Sequence, residues 1–402
     1  MSRPGVKLAL VGCGGIAGAH VKGYADLWAR GCREFEIAAC CDVSREAAAA
    51  RAREIAAFQG REPAVFTEVA DLVKAGAAEA ADLCTPHHVH HTAGVALLEG
   101  GWHVLCEKPL GLTVRASQRL IAAAEKGGRV LATAEQIRRL AGPRACRWAV
   151  CEEKMIGDVR FGDVQMIFSG QLNFADPKFK WRGVRRLTGG GMIMDSGAHF
   201  ADMMLALFGE PERVWCRTDT LDPVEIDGVP VLGRARADVE DTWLAVLTFA
   251  GGVRVAWTYC RVQPGANLRS GRYFGSKGVI EALGPTFHPF QGGGQITLAD
   301  GTVRPREWIE EQYFASLSAD EKARLFPYDT RDGFALEVLD FVRAVTAGGR
   351  PELDGLDGLR AKALCMACYE SSALGREVDY ADVLAGRLDA YERPINEHWH
   401  IA

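Results

Sequence analysis

The chain has 402 residues, 48% of them hydrophobic and 25% charged, with a formal net charge of −5. That length predicts two domains, and the composition is that of an ordinary globular protein. The slightly acidic balance offers no basic footprint for nucleic acid, and no apolar run approaches the ~20 residues of a membrane span.

From the N-terminus, short apolar strands alternate with helical stretches. Strands are predicted at residues 8–11, 35–41, 82–85, 103–106 and 130–133, with Ala- and Leu-rich segments such as 44–58 and 92–99 between them. This rhythm means βαβ units and a doubly wound parallel sheet, expected over residues 1–142. Right-handed crossovers put the strand C-terminal ends on one edge, where ligands bind. The first strand begins so close to residue 7 that no signal peptide is expected, and with it a cytoplasmic location.

That strand leads into Gly12, Gly14, Gly15, Ile16 and Ala17, a GxGxxA turn before a helix. Glycine allows the tight turn and lets backbone N–H groups approach a pyrophosphate at the helix N-terminus. Asp42 ends the next strand, where a carboxylate would accept from ribose hydroxyls. Its plainer role is to cap the following helix. A carboxylate there would repel a 2′-phosphate, so NAD is expected, and the neighbouring Arg45 leaves NADP open.

The run Thr85-Pro86-His87-His88-Val89-His90-His91 follows another strand at the same edge. Four histidines in five positions suggest a metal, but no acidic partner or HExxH spacing accompanies them. A cofactor-edge loop with a solvated helix start is predicted, and no metal. Glu107-Lys108-Pro109 ends the next strand. Proline biases Lys108 towards an extended backbone. A lysine there can donate to a substrate hydroxyl and stabilise a developing alkoxide. The alternative is a surface lysine paired with Glu107.

Beyond about Pro143 the strands lengthen and crowd together, at residues 161–169, 214–219, 242–249 and 253–260. The last two form a hairpin turning at Gly251-Gly252. A mostly antiparallel sheet with helices at 334–346 and 358–372 makes a second domain over residues 143–402. Residues 261–330, rich in Gly and Pro, are the least readable part of the chain. After the triplet Gly189–Gly191, Asp195, His199 and Asp202 fall at i, i+4 and i+7, on one helical stripe. Two carboxylates flanking a histidine on an apolar helix are costly unless used or solvated, and histidine suits proton transfer near neutrality. A core helix with a satisfied histidine is the bland alternative. The twelve cysteines are predicted to be buried thiols, since those at 40, 41, 84 and 106 lie in apolar strands and Cys365–Cys368 has no second pair.

Together these residues resemble the glucose–fructose oxidoreductase/inositol dehydrogenase family, Gfo/Idh/MocA, along nearly the whole chain. The resemblance is carried by the Gly12–Ala17 turn, Asp42, Thr85-Pro86 with His90, Glu107-Lys108-Pro109, AEQIRR (134–139), Trp181-Arg182 and GGGMIMDSGAHFAD (189–202). It extends through GSKGVIEA (275–282) and residues 349–378. The family implies an N-terminal Rossmann domain, an α/β domain with a large open sheet serving oligomerisation, and an active site between them. It implies that Lys108, Asp195 and His199 are the catalytic set, with His199 as acid/base. Asp195 would bind substrate or orient the histidine, and Lys108 would anchor the reacting oxygen. Thr85, Pro86, His87, His90, Glu107, Lys108 and Gln136 would line the cofactor, Arg138 the substrate, and Trp181 and Arg182 the substrate or the nicotinamide end. His87 and Gln136 depart from the asparagines usual at those places. The implied reaction is NAD-dependent oxidation of a sugar, glycoside or cyclic-polyol alcohol, or its reverse, with a glucoside-type 3-dehydrogenase as the specific expectation. A homo-oligomer, dimer or tetramer, is expected through the second sheet. An NAD-using glycosidase and a silent NAD-binding regulator are the alternatives.

Overall fold

The computed structural model describes residues 5–170, 176 and 179–401. Its contacts form two compact units. The first takes in the chain up to Leu112 with Ala116–Arg139 and Ala319–Leu359, and the second holds Thr113–Arg115, Leu140–Ser318 and the chain from Arg360.

The first unit is a six-stranded parallel sheet of β1 (Val6–Val11), β2 (Phe35–Cys41), β3 (Ala64–Phe66), β4 (Ala80–Leu83), β5 (His103–Glu107) and β6 (Leu131–Ala134), in the order β3-β2-β1-β4-β5-β6. Its strands are mostly apolar because both faces are covered, with Asp82 and Glu107 as buried exceptions. One face packs with Val21, Tyr24 and Leu27 of the helix Gly15–Ala29, the other with Leu97, Leu98 and Leu120. The order reverses between β1 and β4, the switch point of a doubly wound sheet. A helix from far along the chain, Gly333–Ala347, adds Val338, Leu339 and Phe341 to the same core.

The second unit is built on a nine-stranded sheet of β7 (Val159–Ser169), β8 (Pro211–Asp219), β11 (Thr242–Phe249), β12 (Arg254–Cys260), β13 (Val262–Gly275), β14 (Gly278–Ala282), β15 (Gly294–Leu298), β16 (Val303–Arg304) and β17 (Val378–Asp379). Strands β9 (Glu225–Val229) and β10 (Gly233–Arg236) pair separately. All the large sheet's pairs are antiparallel except β12 with β7. The β11–β12 hairpin turns at Gly251 and Gly252, both at positive φ, as the sequence predicts. The helices Gly197–Phe208 and Gly355–Leu374 pack on its inner face: Phe200 stacks on Trp257, and Ser371 Oγ accepts from Cys216 N–H.

Residues 261–330, the least readable in sequence, supply four of these strands and the helix Arg306–Ser316. The register of β13 against β7 shifts between Val262 and Asn267, so Pro264 and Gly265 hide the alternation that marks a strand. Eleven of the twelve cysteines are buried, with Cys151 half-exposed.

Candidate functional site

The glycine turn sits at the C-terminal end of β1. Gly12 has φ +85°, and a Cβ there would meet the Cys84 backbone at 2.7 Å, so only glycine fits. Gly14 and Gly15 differ: a Cβ on either meets nothing within 4 Å. That open cradle fronts the N-terminus of Gly15–Ala29, where unpaired N–H groups attract a phosphate. The residues present therefore fit a dinucleotide. Ile16 is exposed and Ala17 buried.

Asp42 does more than the sequence suggests. Its Oδ2 accepts from Cys13 N–H at 2.7 Å and its Oδ1 from Ser44 N–H at 2.8 Å. The helix cap itself is Ser44, whose hydroxyl accepts from Ala47 N–H. Asp42 thus ties the glycine turn to the next helix start. Arg51, which no sequence motif singles out, braces the same turn through Nη2 to Gly14 O at 2.9 Å. Arg45 is exposed on the first turn of its helix.

The histidine run corrects one expectation. The helix begins at His87 itself, and His87, His90 and His91 are buried, not solvated. Burial lowers His91 to about 4, so its ring is neutral. His90 reaches the Thr85 carbonyl (2.7 Å) and the Pro109 carbonyl (3.2 Å), linking two strand-end segments. Pro86 is exposed as the N-cap. Buried Thr85 Oγ1 and Gln136 Oε1 have no hydrogen-bond partner among the described residues, leaving polar atoms for a ligand at this edge.

Lys108 is half-buried, and its peptide bond to Pro109 is cis. Glu107 turns into the core instead of pairing at the surface. Its Oε1 meets His20 Nε2 at 3.0 Å, while His20 Nδ1 meets Asp82 Oδ2 at 2.9 Å. Burial alone would lower His20, but the Asp82 carboxylate overrides it and holds the ring well above the ordinary histidine value. His20 therefore donates from both nitrogens. Glu337, 3.5 Å from His20, is pushed well up by burial, against the pull of the His20 charge. The two groups of ligand-type side chains among the described residues both centre on His20, whose nitrogens these carboxylates engage.

Glu135, just beyond β6, is also buried. Its Oε1 accepts from Ile137 N–H at 2.9 Å. Burial lifts its carboxyl to about 7, against the Ile137 N–H and the charge of Lys108. Arg138 is half-buried in the following turn.

In the second unit, the glycine triplet leads into the helix bearing His199. Asp195 lies in the turns before that helix, which starts at Gly197, so Asp195 and His199 share a winding but not one helix. The triplet is pinned by Glu240, a residue sequence reasoning missed because it carries no motif. Its carboxylate accepts from Gly191 N–H (2.9 Å), Ile193 N–H (2.8 Å) and the Tyr369 hydroxyl (2.9 Å). A Cβ on Gly190 would strike the Tyr369 ring. Asp195 Oδ2 accepts from Arg182 Nη1 at 2.9 Å, and the Arg182 guanidinium lies 5.4 Å from the Trp181 ring centre. His199 is buried, with the ring of His288 perpendicular to its own at 4.7 Å.

A glycine cradle at a parallel-sheet switch point in one unit, and an Arg–Asp pair and a buried histidine at a helix start in the other, are the groups of a dinucleotide-dependent oxidoreductase. Residues 6–135 match the oxidoreductase family with an NAD-binding Rossmann fold, and residues 149–281 match the GFO/IDH/MocA C-terminal domain. The chain belongs to the Gfo/Idh/MocA oxidoreductase family, and its cofactor is NAD. It is 25% identical over 319 residues to 1,5-anhydro-D-fructose reductase of Ensifer adhaerens, covering 78% of this chain and 83% of that one. It is 27% identical over 330 residues to levoglucosan dehydrogenase of Pseudarthrobacter phenanthrenivorans, covering 76% and 80%. The fold matches the WlbA dehydrogenase of Bordetella pertussis, solved with NADH and UDP-GlcNAcA, at a TM-score of 0.71 and 22% identity over 94% of this chain and 99% of that one. No helix among the described residues is long and apolar enough to cross a membrane.

Proposed function

We propose that this enzyme transfers a hydride between NAD and a secondary alcohol carbon of a sugar, glycoside or cyclic polyol, with a glucoside-type 3-dehydrogenase as the specific reading. The observation that carries it is the buried His199, four residues after an Asp195 that accepts from Arg182, in a segment held by Glu240 at Gly191 and Ile193. The names of the relatives, an anhydrofructose reductase and a levoglucosan dehydrogenase, support a carbohydrate substrate.

In this proposal His199 takes the hydroxyl proton at an imidazole nitrogen and returns it in the reverse direction. Lys108 donates to the same oxygen and stabilises its developing charge. The Arg182–Asp195 pair holds a neighbouring hydroxyl: Asp195 has further lone pairs to accept with, and Arg182 has further N–H groups to donate. Thr85 and Gln136 offer polar atoms to the cofactor, and Asp42 accepts from the ribose. The bound nicotinamide supplies the hydride chemistry. Arg138 and Trp181 complete the sugar contacts.

The enzyme is also proposed to be cytoplasmic and to assemble as a dimer or tetramer through the second unit's sheet. Phe161, Trp215, Leu244, Leu268 and Phe274 are exposed on it, and sedimentation would show the assembly.

The test is a screen of sugars, glycosides and inositols with NAD and NADP, following reduced nicotinamide. Lys108→Ala and His199→Ala are each expected to lower kcat by about 10²–10⁴-fold with NAD affinity nearly unchanged. Near-normal turnover in either variant removes that residue's role. Aglycone release without NADH accumulation would instead mark an NAD-using glycosidase.

A further inference from the structure

The loop between β14 and β15 is built to hold one side chain. Leu283 N–H donates to Gly293 O and Gly292 N–H to Leu283 O, both at 2.9 Å, closing its base. Inside it, His288 N–H donates to Pro285 O and Gln291 N–H to His288 O, each at 3.0 Å. Phe287 and Phe290, on either side of His288, are buried. Phe287 packs against Tyr259 at 5.3 Å, itself stacked on Trp243, and Phe290 packs against Tyr273 at 5.5 Å. Phe290 also has φ +62°, a left-handed conformation a bulky residue adopts only under constraint. Anchors on both sides leave His288 little freedom.

The ring so held stands at 90° to that of His199, with centroids 4.7 Å apart. His288 Nδ1 lies 2.9 Å from Gln291 Oε1, a side-chain hydrogen bond that ties the ring to its own loop. An imidazole held by its loop and by Gln291 thus packs edge-on against the ring proposed as acid/base. Such an acid/base must keep a nitrogen within about 2.6–3.2 Å of the proton it moves. A misplacement of about 1 Å costs on the order of 10²-fold in rate.

We propose that His288 is a positioning residue for His199: its ring sets the plane of the His199 imidazole, and Gln291 ties His288 to its loop. The contact stands on geometry alone, while its consequence for turnover rests on the function proposed above.

The experiment uses the full chain with 13C/15N-labelled histidine, in wild type and in the His288→Ala and His288→Phe variants. His199 signals are identified by their loss in His199→Ala, and the folding of each variant is checked by thermal unfolding and NADH binding. Expected are cross-relaxation between the His199 and His288 rings, a changed His199 ring shift in His288→Ala, and a return towards the wild-type shift in His288→Phe. With the best substrate of the screen, His288→Ala is expected to lose about 10–100-fold in kcat with KM within about threefold, and His288→Phe to recover most of it. Absent cross-relaxation, an unmoved His199 signal, a change in KM alone, or equal loss in both variants overturns the proposal. If wild type oxidises no sugar or polyol, the substrate assignment falls, and the spectra still decide whether His288 positions His199.

Discussion

Asp42 serves the fold with both carboxylate oxygens, and under the proposed function it serves the ribose as well. Each oxygen already accepts a backbone N–H and keeps a second lone pair. Asp42→Asn puts an NH₂ opposite one of those N–H groups, so about 1–3 kcal/mol of stability is expected to be lost in urea unfolding. NAD affinity should fall by about tenfold in calorimetry, which one lost charge-assisted hydrogen bond implies. A variant binding NAD as wild type does would remove Asp42 from the ribose. Asp42 stood out in the sequence because a carboxylate at the end of the second strand is a local signal. Arg51 and His20 did not: each acts through a partner 37 to 87 positions away, and nothing in the local pattern marks that.

At the scale of elements, the turn before the His199 helix depends on Glu240 more than on its own sequence. Glu240→Ala would leave Ile193 N–H and the Tyr369 hydroxyl proton buried without their acceptor, and Gly191 N–H with only the Tyr369 oxygen to donate to. The expected loss is about 3 kcal/mol or more in chemical denaturation, with a fall in kcat as the helix start loosens. Glu240→Gln, which keeps one acceptor oxygen, should lose less, and equal losses would count against this account. Five of the six strands of the first sheet were legible because buried parallel strands are mostly apolar, whereas the three-residue edge strand β3 was too short to show a pattern. The loop carrying His288 was not legible, since its form is set by Phe287 and Phe290 finding aromatic partners on distant strands.

Over the whole molecule, buried acids give stability a pH dependence. Glu392 is buried, with Oε1 accepting from Val114 N–H at 2.6 Å, and burial lifts its carboxyl to about 8. Between about 4.5 and 8 the folded chain therefore keeps a proton that the unfolded chain has released, so this group's contribution falls as pH rises through that window. Glu392→Gln removes the dependence while keeping an acceptor. Its stability relative to wild type should rise by roughly 2–4 kcal/mol from pH 5 to pH 8, read from urea unfolding at each pH. A flat difference would mean that Glu392 is ionised in the fold. Two domains were legible from length and from the change of strand rhythm, but the contribution of Gly333–Ala347 to the first core was not. An amphipathic helix carries no mark of which sheet it will cover.

The sulfur inventory offers a practical handle. With eleven thiols enclosed and Cys151 half-exposed, a maleimide or similar alkylating reagent should modify the native chain at one position and the denatured chain at twelve. Mass added per molecule then counts opened chains directly, without any chromophore, substrate or knowledge of the sugar it turns over.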